Sequence, residues 1–97
     1  MMDFLVLTII SNGDAYGYQI SQMLRGVSNA KDSTLYPILK RLQENGYVYA
    51  YDQPFQGRNR KYYRITETGL RYQRQLLKEW RLHQEAIEEI IQGGSQT

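Results

Sequence analysis

The chain has 97 residues, 41% of them apolar, and no cysteine, which fits one small domain and excludes a disulfide framework, a zinc-thiolate centre and a cysteine nucleophile. The single histidine, His83, has no carboxylates near it at ligand spacing, so a non-enzyme without metal or cofactor is expected. The formal charge of +2 argues for no partner by itself, and its distribution carries more information than its total.

Residues 3–11 are apolar on more than one face and predict a buried helix, stopped by the turn dipeptide Asn12-Gly13. The stretch carries an acid where a signal peptide carries its basic end, and it is far shorter than the roughly 20 residues that span a bilayer, so a cytoplasmic protein is expected. Residues 15–25 place Tyr18, Ile20, Met23 and Leu24 at helical offsets and end at Gly26. From about Asp32 to Asn45, Leu35, Ile38, Leu39 and Leu42 recur at i, i+3, i+4 and i+7, which describes one buried stripe closed by Gly46. Pro37 is tolerated within a first helical turn, which predicts that the regular helix starts near Ser33 or Thr34.

After Gly46 the period changes to two. Tyr47 to Tyr51 alternates, Arg60 to Ile65 does so less cleanly, and a loop is expected at residues 53–57, giving a hairpin. Thr66 is a suitable N-cap for a last helix from Glu67 to about Gln92, and residues 93–97 read as a disordered tail. The expected fold class is mainly α with a small β-hairpin: a winged helix-turn-helix over residues 1–65, then one long C-terminal dimerisation helix over residues 66–92. The same element order also fits a generic small helical domain.

Charge separates these two readings. Residues 1–30 and 66–97 each sum to −1, whereas residues 31–65 hold seven basic against three acidic side chains, a net +4. On the third helix the face opposite the apolar stripe carries Ser33, Thr34, Tyr36, Pro37, Lys40 and Arg41, and the tip of the hairpin clusters Arg58, Asn59, Arg60 and Lys61. Hydroxyls toward the N-terminal end suit base edges in a major groove, cations one turn later suit phosphates, and those of the wing suit a phosphate backbone or the minor groove, so these ten residues are the candidate contacts to double-stranded DNA. An ordinary wet face and a solubilising turn are the bland alternatives. Tyr47, Tyr49 and Tyr51 share one strand face while Tyr62 and Tyr63 oppose each other; alternation leaves open which set covers the core.

Gly17-Tyr18, the run from Ser33 to Leu42 followed by Gly46, and the run from Gly57 to Gly69 together resemble the bacterial PadR-like transcriptional regulators over residues 4 to about 80. The paired stretches TLYPILKRL and RKYYRITETG at this separation are far more specific than a generic helix-turn-helix pattern. Asn59 departs where the family often has proline, and Lys31 where a better capping residue is common; these touch wing rigidity and the helix start. The resemblance implies a homodimeric DNA-binding protein, usually a repressor, with the third helix in the major groove and the wing on the flanking backbone, and it implies the short-tailed branch of the family, in which one helix follows the wing.

On that last helix Leu70, Leu77, Trp80, Ile87 and Ile91 fall at near-heptad spacing, a seam wider than a surface helix needs. A C₂ homodimer is expected, with Phe4, Leu5, Leu77, Trp80, Ile87 and Ile91 at its interface. Trp80 has two readings, a packing residue or one wall of a cleft that takes a planar aromatic effector, with His83 as a polar neighbour. The resemblance adds that family members sensing drugs or phenolics do so near the dimer interface. The alternatives to an operator-binding regulator are a winged-helix module that docks on an acidic protein and a small-molecule-binding protein built around Trp80.

Overall fold

The computed structural model of the chain describes residues 1–27 and 32–93. Helix α1 (Met2–Ser11) is followed by strand β1 (Ala15–Tyr16), α2 (Gly17–Leu24), α3 (Asp32–Glu44), β2 (Val48–Phe55), β3 (Arg58–Ile65) and α4 (Glu67–Ile91). Lys31 and residues 94–97 of the expected tail lie outside the described residues. Among the described residues, four helices and a three-stranded antiparallel sheet make a winged helix extended by α4. No helix among the described residues is long and apolar enough to cross a membrane.

The core follows from the apolar periods. Helix α1 buries Val6, Leu7 and Ile10 against Ile20 and Leu24 of α2 and Leu35, Ile38, Leu39 and Leu42 of α3. Fully burying such a side chain contributes about 1.5–3 kcal/mol, so this one cluster fixes how α3 is presented. Val48 and Tyr63 close it from the sheet.

Three expectations are corrected. Ala15 and Tyr16 do not open a helix; they pair antiparallel with Tyr63 and Tyr62, and the hairpin becomes a sheet in the order β1-β3-β2. Ala15 is buried there, and the pairing satisfies backbone groups on the edge of β3 that would otherwise be bare. The hairpin is also zipped further than its alternation suggests, with Phe55 opposite Arg58, so residues 53–55 and 58–61 are strand. The turn is Gln56-Gly57 alone, at φ +50° and +78°. Both positive angles define the primed turn whose twist matches a two-residue hairpin. Finally, α3 begins at Asp32, as its apolar period suggests, and Pro37 sits in its second turn and not in its first. The missing N–H costs one bond to the Ser33 carbonyl, and both residues are exposed, where water can satisfy that carbonyl.

Thr66 caps α4 as expected, its Oγ1 accepting the Gly69 N–H at 2.9 Å and donating to the Gly46 carbonyl at 2.6 Å. The Thr66 N–H donates to the Tyr47 carbonyl at 3.0 Å, and Tyr47 stacks on Tyr72 with ring centroids 4.4 Å apart. Gly69 lies against that same carbonyl so closely that a Cβ would stand 1.9 Å from it. Buried Gln73 donates to Thr8 Oγ1 at 3.0 Å, and Thr8 in turn donates to the Phe4 carbonyl, tying α4 to α1. From Arg81 to Gly93 every residue is exposed.

Candidate nucleic-acid interface

Because Leu35, Ile38, Leu39 and Leu42 are held in the core, the opposite face of α3 turns outward, and Ser33, Thr34, Tyr36, Pro37, Lys40 and Arg41 are all exposed. Tyr36 lies over the start of α2. A Cβ at Gly17 would approach the Tyr36 hydroxyl to 2.8 Å, so the glycine before Tyr18 is what lets that ring settle. Arg41 is not a free cation: its Nη2 bonds Asp3 in the first turn of α1, and the bond to that carboxylate, then its charge, raises the guanidinium pKa. Lys40 has no carboxylate partner among the described residues.

On the wing, Arg58, Asn59 and Lys61 are exposed, but Arg60 is clamped. Its guanidinium lies 3.6 Å from the ring centre of Phe55 and 4.0 Å from that of Tyr16, and its Nη1 reaches the Tyr62 hydroxyl at 3.5 Å. Such cation–π contacts contribute about 0.5–2 kcal/mol and fix the head group in space. Tyr62 stacks on Tyr51 at 5.7 Å and meets Tyr16 edge-on at 5.4 Å. Tyr51 donates to Asp14 Oδ2, whose companion oxygen stands 3.9 Å from Arg64 Nε. The bond to Asp14, then burial, raises the Tyr51 phenol pKa. Tyr63, on the opposite side of β3, is the tyrosine that covers the core, while Tyr47 precedes β2 and belongs to the junction with α4.

Helix α3 and the wing meet at a groove of about 210 Å³ lined by Tyr16, Gly17, Tyr18, Tyr36, Arg60, Lys61 and Tyr63. Three of the expected contacts, Tyr36, Arg60 and Lys61, are brought together here. Arg58 and Asn59 line a second cleft at the hairpin tip with Phe55, Gln56 and Arg60, so Arg60 borders both, and Lys40 and Arg41 are part of neither. Sequence reading did not assign Tyr16, Tyr18 and Tyr63 to this site; the pairing of β1 with β3, which two residues cannot signal by period, was the missing information.

At the other side of the molecule Trp80 stacks on Phe4 with centroids 6.2 Å apart and an interplanar angle of 28°. Met1, Leu76, Glu79 and His83 join them around a cleft of about 220 Å³, so His83 does stand beside Trp80. Leu5 and Leu77 are partly covered, while Ile87 and Ile91 project into solvent.

The family model described as "Transcriptional regulator PadR-like family" matches residues 6–75. The Streptococcus mutans protein smu.1704 is 43% identical, with a TM-score of 0.93 over 99% of this chain and 91% of that one. A PadR family transcription regulator from Clostridium difficile is 29% identical, with a TM-score of 0.84 over 93% and 97% of the two chains. The chain is also similar in fold to Bacillus subtilis PadR, crystallised in complex with operator DNA, at 23% identity and a TM-score of 0.73 over 78% of this chain and 46% of that one.

Proposed function

The chain belongs to the PadR-like family of transcriptional regulators, and on that premise we propose that it binds promoter DNA as a homodimer, α3 entering the major groove and the hairpin following the flanking phosphates. One observation carries the reading: Tyr36 of α3 and the wing cations Arg60 and Lys61 line one groove, in a stretch of chain whose net charge is +4. Ser33 and Thr34 face base edges, and Lys40, Arg58, Asn59 and Lys61 face phosphates. The fold shared with a PadR that binds operator DNA supports the same assignment. The bare half of α4, with Leu82, Ile87, Ile90 and Ile91 exposed, supports pairing of two subunits that present their α3 helices to half-sites about one DNA turn apart. Repression follows by occluding a promoter in the cytoplasm. A planar aromatic effector stacking beside Trp80 and Phe4, with His83 as polar neighbour, changes the pose of the two reading heads.

Titration of a duplex from upstream of its own gene at several salt concentrations tests this reading. Affinity is expected to fall steeply with salt and to survive competitor DNA. A flat salt response would favour docking of the basic face on an acidic protein instead. Quenching of Trp80 fluorescence by planar aromatic compounds tests the effector, and absence of quenching removes it.

A further inference from the structure

The wing beyond Tyr51 and Tyr62 leaves the core, and from Asp52 to Lys61 every residue is exposed except Arg60. This arginine reaches diagonally to both neighbouring strands. It lies opposite Gln53 on β2, so its guanidinium meets Phe55 two residues further along, and on the other side it meets Tyr16, the strand partner of Tyr62. No carboxylate pairs with it among the described residues. Two aromatic rings and the Tyr62 hydroxyl hold the cation.

Those rings belong to different parts of the molecule. Phe55 closes β2 beside the Gln56-Gly57 turn, whereas Tyr16 is the N-cap of α2, where its N–H donates to Gln19 Oε1 at 3.4 Å. Strand β1 pairs with β3 at Tyr62 and Tyr63 alone, so the outer half of β3 has no strand on that side. Among the described residues no hydrogen bond or ion pair joins a side chain of residues 52–61 to a helix. Arg60 on Tyr16 thus bridges the outer wing to the helix-turn-helix, one residue from the Gly17 that seats Tyr36 of α3. A cation that follows phosphates keeps its head group free, as the exposed Arg58 and Lys61 do. Arg60 would have to leave both rings to do so, and its planar guanidinium is the group that stacks best on them.

We propose that Arg60 is a positioning residue: it locks the outer wing against the start of α2, so that the separation between wing and α3 is set before a duplex arrives. The lock rests on the DNA-binding reading and deepens it, since Arg60 then acts through the pose of Arg58 and Lys61 and not through its own charge. A wing that samples other poses lowers affinity by the fraction of molecules in the competent one.

Two variants separate these roles. Arg60→Lys keeps the charge but not the plane that stacks on the rings, and Phe55→Leu keeps every cation. Both positions lie outside the core, so melting temperatures are expected to match the wild type. Amide hydrogen exchange across residues 52–61 of the free protein is expected to accelerate in each. Affinity for a mixed-sequence duplex, by fluorescence anisotropy, is expected to fall about three- to tenfold in each with an unchanged salt slope. The double variant is expected to lose no more than either one, because both open the same clamp. Wild-type affinity in Arg60→Lys would mean that charge alone serves. That result, unchanged exchange, or losses that add in the double variant each overturns the lock while the wild type still binds. Failure of the wild type to bind any duplex at low salt overturns the regulator reading itself.

Discussion

Arg41 shows how one contact redirects a residue's role. Its exposure on α3 suits a phosphate, yet Asp3 neutralises it from α1. Asp3→Asn is therefore expected to release the guanidinium, raise affinity for mixed-sequence duplex and steepen the salt dependence by about one; an unchanged slope would mean that Arg41 does not reach the backbone. Titration of the tyrosines gives a second expectation. Both Tyr51 and Tyr63 have raised phenol pKa values, the first through its bond to Asp14 and the second through burial, so folding favours their neutral forms. The stability they lend is complete below about pH 10, the ordinary phenol value, and is lost as pH rises through the folded pKa values. Alkaline melting curves would record that loss. Sequence reading found Tyr36 and Lys61 because exposure follows from helical period and charge. It missed the clamping of Arg60 and the burial of Gln73, since each depends on a partner remote in sequence: Tyr16 and Thr8.

At the scale of elements, the junction between wing and α4 has no slack. Thr66 gathers the Gly46 carbonyl and the Gly69 N–H, while the Tyr47 carbonyl occupies the place where a side chain at position 69 would begin. Gly69→Ala is expected to force strand and helix apart and to cost at least about 3 kcal/mol in denaturant unfolding, the range of severe steric lesions; a loss below about 1 kcal/mol would mean that the junction relaxes easily. Helix α3 was legible almost residue by residue because one strong apolar stripe set it. The wing was legible only near its base. Beyond Tyr51 it leaves the core, alternation loses its cause, and Pro54 and Gln56 look like loop formers although β2 is an edge strand that accommodates a proline and the turn holds Gln56 at positive φ.

At the scale of the whole molecule, the chain measures 64 × 27 × 20 Å, long for 97 residues, and its second pole is α4 beyond Trp80. If two subunits pair through α4 as proposed, replacing Ile87 and Ile91 together by Asp should leave the winged core folded and give a monomer in sedimentation. A dimer that survives the double change would move the subunit contact elsewhere. A run of about a dozen residues without tertiary cover is marginal as a helix in water. In the proposed dimer the bare end of α4 should thus unwind on dilution and rewind as subunits meet, making the helical part of the chain's far-ultraviolet ellipticity a gauge of association.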